Sequence, residues 1–169
     1  MTTITTRRLV SLSLAVVVIA FAFPRSATSV PPNDARASLD AFNQQFIDAC
    51  QKMDNHAGAS LWADDGADLL PGMAPMVGKA KIAQWLEGLT PPAGAKMVYC
   101  TVDWQDIQLH GDLAYEWGIN RQKMEFPPPK GAFENEGKIV LILKRQNDRS
   151  WKIALESWNG NPRPAEKTP

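Results

Sequence analysis

The chain has 169 residues, 44% of them apolar, and its 18 Lys and Arg balance its 18 Asp and Glu. No Lys/Arg cluster interrupts that balance, which excludes the electrostatic footprint of a nucleic-acid binder or of a protein held on an anionic membrane surface. Only two histidines, His56 and His110, are present and they lie far apart, so no His-rich metal site can be assembled.

Arg7 and Arg8 precede an apolar run from Leu9 to Phe23, followed by Pro24 and small residues. A run of about 15 residues is short for a bilayer span, which takes about 20, and fits the apolar region of a signal peptide. Ala27 and Ser29 stand where a signal peptidase reads small side chains, so cleavage is expected after Ser29; an uncleaved anchor is the alternative. Residues 1–29 are thus expected to be a leader, with the mature protein secreted or periplasmic. Loss of Arg7, Arg8 and Arg25 leaves 15 basic against 18 acidic groups. The remainder, about 140 residues, is the size of one domain.

Val30-Pro31-Pro32 reads as an extended start. Asn33 or Asp34 can cap a helix, on which Leu39, Phe42, Phe46, Cys50 and Met53 recur at spacings of three and four. Asp54-Asn55 interrupts this stripe. A short second helix is expected over Ala57–Trp62, then a short strand over Gly66–Leu70 ended by Pro71-Gly72. Lys79–Leu89 reads as a third helix with Ile82, Trp85, Leu86 and Leu89 on its buried side. Thr90-Pro91-Pro92-Ala93-Gly94 breaks the chain.

Beyond that break the apolar period becomes two. Met97–Leu109 reads as a strand with a bulge near Gln105-Asp106, where the phase slips. Strands over Leu113–Met124, Phe133–Arg145 and Ser150–Trp158 follow, joined by His110-Gly111-Asp112, a proline-rich connection at Phe126–Gly131, and Gln146–Arg149. A domain over 30–160 is expected, with a disordered tail over 161–169. Helices followed by long antiparallel strands make an α+β fold. Two arrangements fit: a curved sheet wrapping the first helix around a cavity, and a cystatin-like roll with a solid core.

Six tryptophans in so small a domain are many, and a wide apolar cavity is a natural place for some of them. Export permits a disulfide between Cys50 and Cys100, but these residues behave equally well as small buried hydrophobes. The sequence leaves that choice open.

Leu61-Trp62-Ala63-Asp64-Asp65 leads through a Pro/Gly/Met loop into Gly78-Lys79-Ala80-Lys81-Ile82-Ala83-Gln84-Trp85-Leu86. His110-Gly111-Asp112-Leu113-Ala114 opens a strand, and Ser150-Trp151-Lys152-Ile153-Ala154 with Glu156-Ser157-Trp158-Asn159 closes the fold. In this order and spacing the segments resemble the nuclear transport factor 2-like superfamily, with its ketosteroid isomerases and SnoaL-like cyclases, over about Asp34–Asn159. The resemblance implies a cone-shaped roll of three N-terminal helices packed on a strongly curved, mostly antiparallel sheet. It also implies homodimers through the outer sheet face, with Trp104, Tyr115 or Trp117 as anchors.

The isomerase roles do not carry over. The tyrosine of those enzymes, 16 residues before the aromatic of Ala-Asp-Asp, corresponds to Phe46. Their general base, just before the loop proline, corresponds to Leu70, and their second acid falls near Leu141. Phe46 cannot donate a hydrogen bond and Leu70 cannot take a proton. Instead Phe46, Leu70, Met73, Met76, Leu86, Leu141 and Trp158 together suggest an apolar, ligand-binding pocket. The same side chains could equally fill the cone.

Glu156 is expected on the cavity face of the last strand, sharing it with Lys152, Ala154 and Trp158. Desolvation there would raise its pKa and suit it to acid–base work. Glu116 could approach it as a second catalytic carboxylate. Asp64, Asp65 and Asp68 read as a structural turn, not a metal cluster. No cofactor motif, nucleophile elbow or phosphate loop is present, so neither metal nor cofactor is expected. Three readings follow: an exported domain binding a small hydrophobic molecule; an isomerase, cyclase or hydratase acting on a polyketide- or steroid-like substrate through Glu156 or Glu116; and a dimeric interaction module without a ligand. None involves nucleic acid, or a membrane once the leader is removed.

Overall fold

The computed structural model describes residues 32–161, so the expected leader with its cleavage point and residues 162–169 lie outside the described part. Helix α1, Pro32–Lys52, ends where Met53 takes a positive φ of 53° and turns the chain. Asp54 then caps α2, Asn55–Ser60, accepting the Ala57 N–H at 2.9 Å. This helix stops short of the expected Trp62. Leu61, Trp62 and Ala63 are buried, and the Ile153 N–H donates to the Leu61 carbonyl at 2.8 Å. Sheet pairing has overridden local helix propensity there, and strand β1 runs from Trp62 to Leu69.

The short strand β2, Met76–Val77, lies antiparallel to β1 and had no signal in the sequence. Helix α3, Lys79–Gly88, starts after Gly78, whose φ of 97° suits glycine. Four long strands follow: β3 Lys96–His110, β4 Leu113–Glu125, β5 Ala132–Arg145 and β6 Trp151–Gly160. The sheet order is β2-β1-β6-β5-β4-β3, antiparallel throughout except for the β1–β6 pair. β6 continues through Asn159 and Gly160, paired with Lys138 and Gly137, and Asn161 donates its backbone N–H to the Glu136 carbonyl. Order therefore extends to the first residue of the expected tail.

Bulges bend the sheet. One falls between Trp104 and Asp106, as the sequence phase indicated, opposite Gly118. A Cβ on Gly118 would lie 2.7 Å from the Asp103 carbonyl oxygen, so only glycine permits this approach. Another bulge lies in β6: Leu143 pairs with Ile153 and Ile142 with Leu155, leaving Ala154 unpaired.

The C-terminal end of α1 is fastened to the edge strand β3 twice. A disulfide joins Cys50 to Cys100 with their Cα atoms 6.0 Å apart. Beside it Gln51 donates to the Met97 carbonyl (3.1 Å) and accepts the Cys100 N–H (2.8 Å), occupying edge groups that β3 leaves free. The core proper gathers under the N-terminal half of α1, where Leu39, Phe42, Leu143, Trp151 and Ile153 are buried together. Under its C-terminal half the roll is open.

Candidate functional site

The open half of the cone holds a cavity of about 490 Å³, roofed by α2, α3 and the loop after β1 and floored by the inner face of the sheet. Its walls are predominantly apolar, with four aromatic side chains, Phe46, Trp62, Trp85 and Trp158, and the Cys50–Cys100 disulfide. A solid cystatin-like core is thereby excluded. Phe46, Leu70, Met73, Leu86, Trp158 and Glu156 all line the cavity.

Three other residues singled out from the sequence lie elsewhere. Met76 sits on β2 and packs against the core. Leu141 is fully buried in the sheet, paired with Glu116 on one side and Glu156 on the other. Glu116 is also fully buried, but it faces α1, where Asn43 Nδ2 donates to its Oε2 at 2.9 Å. The two glutamates therefore share a rung of the sheet without meeting, because Leu141 stands between them. Trp104 is not on the outer face; it packs against the inner core next to the bulge.

The face shared by Glu156 also differs from the alternation expected in β6. Trp151 and Ile153 point inward, the unpaired Ala154 shifts the phase, and Glu156 and Trp158 then return to the inner face. Lys152 lies off that face, its Nζ donating to the Ser60 carbonyl at 2.6 Å. Without the bulge, Glu156 would follow Ile153 by an odd number of residues and point outward.

Across from Glu156 stands Asp68, its Cα partner on the parallel strand β1. Asp68 lines the cavity, is 3% exposed, and its Oδ1 has no hydrogen-bond partner. Burial raises its pKa to about 6, against a weaker pull from the Leu69 N–H. Burial, reinforced by repulsion from Asp68, raises Glu156 to about 8. Glu156 keeps some accessible surface and lines the cavity. Near neutral pH the two carboxyls therefore hold about one proton between them.

Trp158 is held in place beside this pair. Its indole N–H donates to Asn120 Oδ1 at 3.3 Å, while Asn120 Nδ2 donates to the Thr101 carbonyl at 3.3 Å. Gly137 makes room for it, since a Cβ there would meet the Asn159 carbonyl and the Trp158 indole nitrogen. Asp68 and Asn120 are among the polar lining residues that sequence reasoning missed. For Asp68 a signal existed, because strand alternation places it on the same face as Leu70, already assigned to the pocket. Asn120 carried no comparable signal. Among the described residues no group of three or more His, Cys, Asp or Glu could hold a metal ion.

No protein-family model matches the chain, and no curated protein matches it. Solved structures do. A ketosteroid isomerase-like protein from Erwinia carotovora atroseptica superposes with a TM-score of 0.66 at 17% identity, over 78% of this chain and 99% of that one. A nuclear transport factor 2-like protein with a cystatin-like fold from Novosphingobium aromaticivorans gives 0.63 at 17% identity, over 79% and 86%. ActVI-ORFA from Streptomyces coelicolor gives 0.64 at 14% identity, over 76% and 98%. With the topology above, these likenesses define the class: the chain has the nuclear transport factor 2-like cone fold. Identities this low speak to the fold alone.

Proposed function

We propose that this domain is an exported binder of a compact hydrophobic molecule, held in the cone between α1, α3 and the sheet. The observation that carries the reading is the cavity itself, about 490 Å³ with mainly apolar walls and a few convergent polar groups. This is the make-up of small-molecule sites in general. Export is supported by the apolar leader read in the sequence and by the Cys50–Cys100 disulfide, a bond that persists in oxidising compartments. Denaturing extraction of the purified mature domain followed by mass spectrometry tests the reading. A co-purified hydrophobic compound is expected; an empty extract, together with no saturable binding of any apolar fluorescent probe, would refute it.

A second reading rests on Asp68 and Glu156. One carboxylate and one carboxylic acid facing the same apolar space could take a proton from one position of a bound substrate and return it at another. This would make the protein an isomerase-, cyclase- or hydratase-type enzyme working through Glu156, with Asp68 in place of the more distant Glu116. Turnover of the extracted compound that is abolished in both Asp68→Asn and Glu156→Gln would favour catalysis over binding alone. The outer sheet face, where Tyr115 and Trp117 are 41% and 40% exposed beside Val140 and Ile142, supports a homodimer as the assembled form. Light scattering at the monomer mass would refute that assembly.

A further inference from the structure

The polar equipment of the cavity is one-sided. Its ionisable lining residues are Asp54, Asp68 and Glu156, and no Lys, Arg or His is among them. Asp54 lies at the exposed rim, with one oxygen committed to capping α2. Asp68 and Glu156 are adjacent across the β1–β6 pair, and Asp68 Oδ1 has no donor although the residue is 97% buried. A buried acceptor without a donor costs on the order of 1–3 kcal/mol, and two neighbouring carboxyls in apolar surroundings multiply the demand for positive charge. Among the described residues, none that lines the cavity supplies a cation to meet it.

We infer that the molecule taken by this cavity carries a basic amine, whose ammonium group docks between Asp68 and Glu156 while its hydrocarbon body fills the space beneath α3. The inference rests on the ligand-binding reading and names the chemical class of the ligand. An ammonium offers up to three N–H donors, enough to serve the unpartnered Asp68 oxygen and Glu156 together. Trp62, Trp85, Trp158 and Phe46 line the same cavity, and aromatic rings attract positive charge directly. A metal ion is a poorer fit. Calcium takes six to eight oxygen ligands, whereas Leu141, Ile139 and Trp158 surround the pair with hydrocarbon and indole. A ligand carboxylate would add a third negative charge to the same site.

Docking has a proton signature. The empty pair retains about one proton near neutral pH, and an incoming ammonium favours both carboxylates ionised, so the proton leaves as the amine binds. Affinity for an amine should therefore rise with pH through the range from about 6 to about 8, the pKa values of Asp68 and Glu156. Affinity for a neutral ligand of the same shape should not rise.

The experiment compares anthracenylmethylamine, anthracenemethanol and anthracenecarboxylic acid, followed by energy transfer from the cavity tryptophans, with calorimetry in buffers of different ionisation enthalpy. The amine is expected to bind at least about tenfold more tightly than the alcohol, a difference of roughly 1.4 kcal/mol, with proton release; the acid should bind most weakly. Asp68→Asn combined with Glu156→Gln should bring amine and alcohol to equal affinity. Both changes are near-isosteric and remove buried charge, and circular dichroism checks the fold. Should that variant not fold, the pH dependence of amine binding to the unaltered protein decides. Equal binding of amine and alcohol to the unaltered protein, without proton release, would overturn the amine and leave the hydrophobic pocket standing. Binding of none of the three would overturn both.

Discussion

Glu116 and Glu156 lie on the same rung of the sheet, two strands apart, both facing inward and both with pKa values raised by burial. Their surroundings differ. Over Glu116 the N-terminal half of α1 is packed down, and Asn43 donates to one carboxyl oxygen. The atoms left without partners there are Glu116 Oε1 and Asn43 Oδ1, both acceptors. A single proton on Oε1 would give each a partner in a closed acid–amide pair, so neutral Glu116 belongs to the solid end of the cone. Over Glu156 the helix has moved away, the cavity intervenes, and the neighbour is a second acid. The comparison separates a buried acid completed within the fold from one left for something to be bound.

The largest expected effect tests what keeps the open end open. The Cys50–Cys100 bond spans 50 residues of sequence and pins the end of α1 that is not packed onto the core. Replacing both cysteines with alanine should cost roughly 4 kcal/mol in urea unfolding, with hydrogen exchange rising first around Phe46–Met53. A loss below about 1 kcal/mol would mean that packing alone sets the helix position.

Next in size is the pH dependence of the closed end. Glu116 has its pKa raised from 4.5 to about 7 by burial, against opposing pulls from Asn43 and the Arg36 charge, with Asp40 adding to the rise. The folded protein therefore holds a proton that the unfolded chain releases. That stabilisation is complete below about pH 4.5 and is lost as pH climbs through about 7, on the order of 3 kcal/mol in all. Asp68 and Glu156 act in the same direction, so the ligand-free protein should melt at lower temperature at about pH 9 than at about pH 5. Glu116→Gln should remove its share of this slope and leave ligand binding intact. An unchanged slope would place the pH dependence in the cavity pair instead.

Much of this arrangement was legible in the residues. The spacing of Leu39, Phe42, Phe46 and Cys50 marks the face of α1 that both packs and lines the cavity, and the phase slip near Asp106 marks the β3 bulge opposite Gly118. Period-two alternation found the four long strands to within a residue or two. What escaped were features created by distant pairing. Trp62 joined a strand because β6 lay beside it, and β2 exists only against β1. The bulge at Ala154 has no local signal, and the simple alternation that puts Glu156 on one face with Lys152 and Ala154 does not hold in β6. By sequence alone Asp68 reads with Asp64 and Asp65 as one acidic turn. Alternation with Leu70 and parallel pairing with Glu156 both send its side chain inward, while those of Asp64 and Asp65 go out.

The smallest expected effect concerns the rim. Asp54 caps α2, the element that roofs the cavity beside α3, and it lies just after the end of α1. Asp54→Ala removes the acceptor for the Ala57 N–H and should cost about 1 kcal/mol. Because α2 is only six residues long, that is enough to fray it locally without global unfolding. The two ends of the cone should then respond differently. Amide protection at Leu39 and Phe42 should hold, while the fluorescence of Trp85 and the dissociation rate of a bound probe should shift by a few fold. Loss of protection at both ends together would show that the cone unfolds as one unit and that its open half has no separate stability.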